Sequence, residues 1–200
     1  MRRRLTTAGT AALLAMVLLG GCAGLPRGDD GAPQAMMTTA DMPFHAQGRF
    51  SAHYEDKALA ARFDWQHTPE SDAIEFLSPL GTTVARLTRV GETITVQQGD
   101  DPQRAQQADN WETLTTQVFG FPLPVEGLAY WLRGVPSPET PAAITRDAGG
   151  RLDSLRQQGW TIQYGYAAAT REPERLDVRY GETIGLRLKI DRLLLLENKP

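Results

Sequence analysis

Cysteine is nearly absent from this chain of 200 residues, which contains one, so no disulfide can form within the chain. A zinc or iron–sulfur site built from several thiolates is excluded for the same reason. Outside the N-terminus there is no run of about 18 apolar residues, which excludes a polytopic membrane protein. Basic side chains number 21 and acidic ones 24. The composition therefore does not favour binding to nucleic acid.

Motifs of catalysis and cofactor binding are absent as well. The sequence has neither a Gly-x-Ser-x-Gly nucleophile elbow nor a phosphate-binding loop. The three histidines lack metal-ligand spacing, and the pairs Asp29-Asp30 and Asp100-Asp101 fall in polar segments. Such segments lack the apolar surroundings that tune a general acid. The motifs therefore give little support for catalysis, and we predict no cofactor, no metal site and no catalytic residue.

The first 21 residues have the anatomy of a bacterial lipoprotein signal peptide. Arginines occupy positions 2–4, and an apolar run covers residues 11–19. The run ends in Leu19-Gly20-Gly21-Cys22, which resembles a lipobox, the motif whose cysteine carries diacylglycerol and becomes the first mature residue. An ordinary secretory signal with an incidental cysteine is the alternative. The lipobox predicts lipidation at Cys22, and the lack of an Asp directly after it is typical of an outer-membrane address.

Residues 22–40 are predicted to form a flexible, lipid-anchored tether, and residues 41–200 a single folded domain. The tether segment is rich in glycine, proline and aspartate, which disfavours helix and strand. Its root-mean-square reach is on the order of 25 Å. The folded domain is therefore expected to reorient above the membrane.

Alternation of apolar and polar residues predicts seven or more β-strands in this domain. Phe50, Ala52 and Tyr54, for example, alternate with polar neighbours, and Ile184 to Ile190 repeats the pattern near the C-terminus. The turns between strands are short, which favours antiparallel hairpins because parallel crossovers need a dozen or more residues. Residues 97–110 are predicted to be an exposed connection.

Two segments change to helical spacing. Asp109 is predicted to cap the first helix with Glu112 as its capping-box partner, and Gly120 to end it. The second helix is predicted to begin at Pro124 and to stop at Gly134. Helices this short need an apolar surface to be stable. The sequence therefore predicts a mainly β fold: an open, unclosed antiparallel β-barrel with short helices covering its concave apolar face.

Six segments resemble the outer-membrane lipoprotein receptor LolB family. The resemblance covers about residues 45–192 and lies in the order, the spacing and the residues of the segments. No single segment is decisive, and the series behind a lipobox carries the resemblance. The segments are Gly48-Arg49-Phe50, Ala61-Arg62-Phe63-Asp64-Trp65-Gln66, Ser78-Pro79-Leu80-Gly81-Thr82-Thr83, residues 116–124, Leu128-Ala129-Tyr130-Trp131-Leu132-Arg133-Gly134 and Leu186-Arg187-Leu188-Lys189-Ile190.

The resemblance implies a non-enzymatic receptor in the bacterial outer membrane. It would accept acylated lipoproteins from the periplasmic carrier LolA and place them in the inner leaflet of that membrane. We expect a monomer that faces the periplasm, is anchored through the lipid on Cys22 and binds no nucleic acid.

The resemblance also implies two site regions. Leu80, between Pro79 and Gly81, would project from a loop and promote insertion of cargo into the membrane; a leucine folded back onto the sheet rim is the alternative. The apolar face and the helices would line an acyl-chain cavity, although such aromatics also suit a plain core. The residues predicted to line it are Phe50, Phe63, Trp65, Phe76, Leu128, Trp131, Trp160 and Tyr164.

Two other functions stay open at this point. One is a lipoprotein scaffold subunit of an outer-membrane assembly complex, which would bind protein rather than lipid and would have a solidly filled core. The other is a lipid-modifying or hydrolytic enzyme, which would need a nucleophile and a base that converge in the cavity.

Overall fold

Eleven β-strands form one antiparallel sheet in the computed structural model, which describes residues 42–196. They are β1 (Phe44–Tyr54), β2 (Lys57–His67), β3 (Ser71–Leu77), β4 (Thr83–Val90), β5 (Thr93–Gln98), β6 (Ala105–Ala108), β7 (Ala142–Arg146), β8 (Leu152–Gln157), β9 (Trp160–Tyr166), β10 (Pro173–Tyr180) and β11 (Ile184–Leu195). The mainly β, antiparallel fold expected from the sequence is confirmed.

The spatial order of the strands is β6-β5-β4-β3-β2-β1-β11-β10-β9-β8-β7. Two meanders, β1 to β6 and β7 to β11, therefore join where β1 pairs with β11. That pairing runs from Phe44 opposite Leu195 to Tyr54 opposite Ile184, with one irregularity between Gln47 and Gly48. In the described part of the chain β6 and β7 each have a single neighbour, so the sheet is open.

One face of the sheet is buried because its strands alternate as the sequence predicts. In β1 the side chains of Phe44, Ala46, Phe50 and Ala52 are buried, whereas alternate positions from Arg49 onward are exposed. Gly48 continues the inward series, and the Phe63 ring lies where a Cβ of residue 48 would be. A side chain at residue 48 would therefore displace Phe63 or the β11 backbone.

Two helices cover the buried face: α1 (Trp111–Phe119) and α2 (Val125–Trp131). The predicted capping box is wrong. Asn110 is the N-cap, and its side-chain oxygen accepts a hydrogen bond from the Thr113 backbone N–H at 2.8 Å. With the cap one residue later, Glu112 falls one position short of the capping-box site. Gly120 ends α1 in the left-handed conformation, as predicted.

Helix α2 differs from its prediction by one position at its start. Pro124 is the N-cap rather than the first helical residue, and no side chain caps this end. The chain makes one further turn after Trp131 and leaves it at Gly134, whose φ is +71°. The indole of Trp131 packs over Gly127 and occupies the space that a Cβ at residue 127 would need. A glycine at residue 127 thus lets Trp131 lie against its own helix.

Residues 97–110 are not simply an exposed connection, so this prediction is corrected. A short 3-10 turn covers Pro102–Arg104, and β6 then pairs with β5 from Ala105 to Ala108. β6 is mostly exposed and made of alanine and glutamine, so no apolar alternation reveals it. Among residues 42–196 no helix has the length and apolar character needed to cross a bilayer.

Candidate functional site

The interior between the sheet and the helices contains a small apolar void of about 20 Å³. A void of that size holds roughly one water molecule. Every lining side chain is apolar, and they come from the sheet, the linker before α2 and α2 itself. They are Phe50, Phe63, Trp65, Ile74, Phe76, Leu123, Val125, Leu128 and Leu188.

Five of the eight residues predicted for the acyl-chain cavity meet at this void: Phe50, Phe63, Trp65, Phe76 and Leu128. The rings of Phe50 and Phe76 are 5.4 Å apart, so the two strands that carry them are joined by aromatic contact. All five side chains are buried. The structure thus places the predicted aromatic face and one helix residue around a common space.

The other three predicted cavity residues are buried but lie away from the void. Trp131 and Trp160 pack together with ring centroids 6.5 Å apart. The Trp131 indole N–H donates to the side-chain oxygen of Gln157 at 3.0 Å. Tyr164 lies beside Tyr166, their rings 6.3 Å apart. A role for these three in holding acyl chains stays a prediction.

Tyr164 carries a buried hydroxyl with no hydrogen-bond partner among the described residues. The residue is 6% exposed. Burial, followed by the effect of neighbouring Tyr166, raises the pKa of the Tyr164 phenol above its ordinary value of 10.0. The hydroxyl therefore stays protonated, as an unused donor in an apolar region.

A polar cluster around Asp72 lies at the end of the sheet where β2 meets β3. Asp72 is buried, and its carboxylate accepts hydrogen bonds from the Trp65 indole at 2.9 Å and from Arg89 Nε at 2.7 Å. His67 Nδ1 lies 2.7 Å from the same carboxylate. Sequence reasoning missed Asp72, although it shares the inward parity of Ile74 and Phe76.

The Asp72 cluster has the marks of a structural element rather than a reactive one. Desolvation by burial would by itself raise the pKa of Asp72. The pKa nevertheless lies below the ordinary 3.8, because the hydrogen bond and the electrostatic attraction of His67 lower it, and so do the hydrogen bonds from Trp65 and Arg89. Arg89 also donates to the backbone oxygens of Thr68 and Pro69. The Asp72 carboxylate thus has hydrogen-bond and ionic partners, and these contacts link β3 to β2 and β4.

The loop between β3 and β4 holds Leu80 in solvent with 94% of its side chain exposed. The loop is closed by backbone hydrogen bonds between Ser78 and Thr82 and from Gly81 to Ser78. Gly81 has a φ of +87°, which a residue with a side chain adopts only with strain. The leucine side chain thus projects from a turn whose shape is set by its neighbours.

The remaining site prediction, lipidation at Cys22, lies outside the described residues, as do the signal peptide and the tether. Within residues 42–196 no group of three or more His, Cys, Asp or Glu side chains is arranged to hold a metal ion. The candidate site among these residues comprises the apolar interior and the loop that carries Leu80.

A solved structure shares this architecture. A DUF1329 family protein from Desulfovibrio piger matches over 83% of this chain and 91% of its own, with a TM-score of 0.53 and 7% identity. A LolA superfamily protein from Nitrosomonas europaea covers 84% of this chain and 94% of its own, with a TM-score of 0.47 and 11% identity. At such identities the first likeness shows the fold alone.

Sequence comparison is more specific. The family described as outer membrane lipoprotein LolB matches residues 42–192. Two relatives carry the name outer-membrane lipoprotein LolB. That of Chromobacterium violaceum is 42% identical over 130 residues, 65% of this chain and 68% of its own. That of an Azoarcus species is 35% identical over 193 residues, 93% of this chain and 94% of its own. Neither the family description nor these names denotes an enzyme. The chain belongs to the LolB family of outer-membrane lipoproteins.

Proposed function

We propose that this protein accepts acylated lipoproteins from the periplasmic carrier LolA and inserts them into the inner leaflet of the outer membrane. The observation that carries the proposal is Leu80, a large apolar side chain held 94% exposed on a closed loop. A side chain of this kind gains nothing from folding. It gains roughly 1.5–3 kcal/mol when it is buried among acyl chains.

The proposal explains why the interior is apolar on both of its walls. Each methylene of an acyl chain costs about 0.8 kcal/mol to expose to water, so a lipoprotein with several chains needs an enclosed path to its membrane. The buried sheet face and α2 supply apolar walls for such a path. Delivery then runs toward the bilayer, the larger apolar phase.

The void of about 20 Å³ is too small for an acyl chain, so cargo uptake requires α2 to move. The C-terminal end of α2 is tied to the sheet by the hydrogen bond from Trp131 to Gln157. Its N-terminal end at Pro124 has no side-chain cap. We infer that α2 pivots about Trp131 and withdraws Val125 and Leu128 from the void as acyl chains enter.

Leu80→Glu tests the proposed function. We expect the variant to take cargo from a LolA–lipoprotein complex at a near-normal rate, because Leu80 is remote from the interior void. Delivery of that cargo into liposomes should fall at least about tenfold, since a charged side chain forfeits the apolar burial of the leucine. Val90→Glu is the matched control, because Val90 is the other strongly exposed apolar residue at an end of β4.

Each of the two variants has an outcome that would contradict this interpretation of Leu80. An unfolded Leu80→Glu variant, or one that delivers cargo at the wild-type rate, would show that the leucine is structural. Loss of delivery in Val90→Glu to the same extent would show that any exposed charge disturbs the assay.

The nearly filled interior favours a second candidate, a lipoprotein scaffold subunit of an outer-membrane assembly complex that binds protein rather than lipid. A scaffold would have no need of a cavity. The same assay separates the two functions, because a scaffold would accept no cargo from the carrier even with Leu80 in place.

We propose further that Cys22 carries the lipid anchor, that residues 1–21 are removed as a signal peptide and that residues 22–40 tether the folded domain. The lipobox supports this arrangement, as does the outer-membrane lipoprotein family to which the chain belongs.

A further inference from the structure

A shallow groove of about 400 Å³ crosses the outer, solvent-facing side of the sheet at β2, β1 and β11. The exposed side chains around it are basic: Arg49, Arg62, Arg187 and Lys189. Between them lie the small residues Ser51 and Ala60, which face each other across β1 and β2 and leave the centre of the groove open. We call this region the basic groove.

The strand register places like charges directly opposite one another in the basic groove. Arg49 pairs with Arg62 on β2 and with Lys189 on β11. Like charges in directly opposed positions destabilise an antiparallel sheet. Three adjacent cations across the centre of the sheet therefore reduce stability, unless anions lie nearby.

The anions of the protein neutralise this row only in part. Asp191 lies 3.2 Å from Arg49, and Glu174 lies 3.5 Å from Lys189. Arg187 contacts Asp177 at 2.6 Å. Arg62 has no ion pair and no side-chain hydrogen bond within the described residues. The groove thus keeps positive charge on a body that has 16 basic and 20 acidic side chains between residues 42 and 196.

The basic groove adjoins the loop that carries Leu80, since Pro79 lines its edge. The turns at the same end of the sheet are acidic: Glu55 and Asp56 join β1 to β2, and Glu182 lies between β10 and β11. An approach to an anionic surface with this end foremost would bring those carboxylates against it. An approach with the outer face foremost would bring the basic groove against it, with the loop that carries Leu80 at the edge of the groove.

We propose that the basic groove binds the phosphate groups of anionic phospholipids and seats the body on the bilayer by its outer face, with Leu80 inserted beside it. Arginine suits this ligand because its planar guanidinium can donate two hydrogen bonds to one phosphate. The open centre above Ser51 and Ala60 provides space for a headgroup. This inference rests on the proposed function and names the membrane component that the delivery step contacts.

Vesicle binding without cargo tests the proposal. The proposed mature chain, residues 22–200 with Cys22→Ala to remove the site of the proposed anchor, is sedimented with vesicles of phosphatidylcholine alone or mixed with phosphatidylglycerol. We expect tighter binding to the mixed vesicles, weakened by salt. Neutralising Arg49 and Arg62 with Arg49→Gln and Arg62→Gln should lower that affinity roughly 25-fold, because each basic side chain at an anionic surface contributes about fivefold.

The matched control removes two arginines from the other half of the same face. Arg156 and Arg179 are exposed on β8 and β10 and lie outside the groove. Arg156→Gln with Arg179→Gln makes the same change in net charge, and we expect its affinity to change less than about fivefold, the contribution of one basic side chain at the surface. Both double variants should melt within a few degrees of the wild-type temperature, since each changes only exposed side chains.

Several results would overturn the proposal. Equal binding of wild type and the Arg49/Arg62 variant to mixed vesicles would do so, as would an equal loss in the control. Full competition by free inorganic phosphate at constant ionic strength would make the groove a site for a free anion. If the Arg49/Arg62 variant binds vesicles normally but takes no cargo from the carrier, the groove docks a protein. Failure of wild type to transfer cargo would instead overturn the proposed function.

Discussion

At the scale of single residues, the buried hydroxyl of Tyr164 finds no hydrogen-bond partner among residues 42–196. A buried donor without an acceptor costs about 1–3 kcal/mol. We expect Tyr164→Phe to raise the free energy of unfolding by about 1 kcal/mol or more, because the ring keeps its packing and the hydroxyl is lost. Chemical denaturation followed by tryptophan fluorescence measures this change.

Tyr166 provides the control for that measurement. Its ring lies beside that of Tyr164, but its hydroxyl donates to the backbone oxygen of Leu152 at 2.8 Å. Tyr166→Phe should therefore lower the free energy of unfolding by about 0.5–1.5 kcal/mol. A Tyr164→Phe variant that is also less stable would mean that its hydroxyl has a partner in solution.

At the scale of elements, Asp72 joins three strands, since it lies on β3 and its partners Trp65 and Arg89 lie on β2 and β4. Asp72→Asn removes the charge that compensates Arg89. We expect a loss of about 3 kcal/mol in the free energy of unfolding, near the lower end for a broken buried pair because Arg89 is partly exposed.

The Asp72 carboxylate also makes the free energy of unfolding depend on pH. The pKa of Asp72 is lower in the folded protein than its ordinary 3.8. Its contribution is therefore complete above the unfolded-state pKa and is lost as the pH falls through the folded-state pKa. Unfolding free energies measured from about pH 5 downward should fall less steeply in Asp72→Asn than in wild type. Asp191→Asn, which removes one carboxylate from an exposed pair with Arg49, is the charge-matched control.

The strands that the sequence revealed are those with one buried face. β1, β2 and β11 alternate cleanly because their inward side chains form the core. β7 is exposed at every position, and β6 nearly so. An edge strand without a buried face has no reason to alternate, so neither strand was predicted. The antiparallel arrangement was nevertheless predicted correctly, because the alternating central strands and their short turns determine it.

The sequence predicted which side chains point into the interior, but not where along the sheet each of them lies. Period two shows that Phe63 and Trp160 both point inward, yet it carries no information on which half of an eleven-stranded sheet each occupies. Phe63 lines the void, whereas Trp160 packs on Trp131 elsewhere. Asp72 was missed because a carboxylate is typical of an outward position, and its burial is explained by its cross-strand partners Trp65, His67 and Arg89.

At the scale of the whole molecule, the proposed anchor and the folded body should be separable. Cys22→Ala is expected to move the protein from the membrane fraction to the soluble fraction with no change in its melting temperature, because residue 22 falls in the proposed tether of residues 22–40 and not in the proposed folded domain. Mass spectrometry of the wild-type protein should find diacylglycerol on Cys22. An unmodified thiol at that residue would contradict the anchor.

The strand order also determines when the molecule can finish folding. β11 lies near the centre of the sheet although it is the last described strand along the chain. Phe44 of β1 can pair with Leu195 only after β11 is in place. Pairing between such distant segments is slow, because loop entropy is lost before the contacts form. Until β11 arrives, β1 and β10 each present an unpaired edge that can add a foreign strand. During export, the interval between the emergence of β1 and that of β11 is therefore when this chain is most open to aggregation.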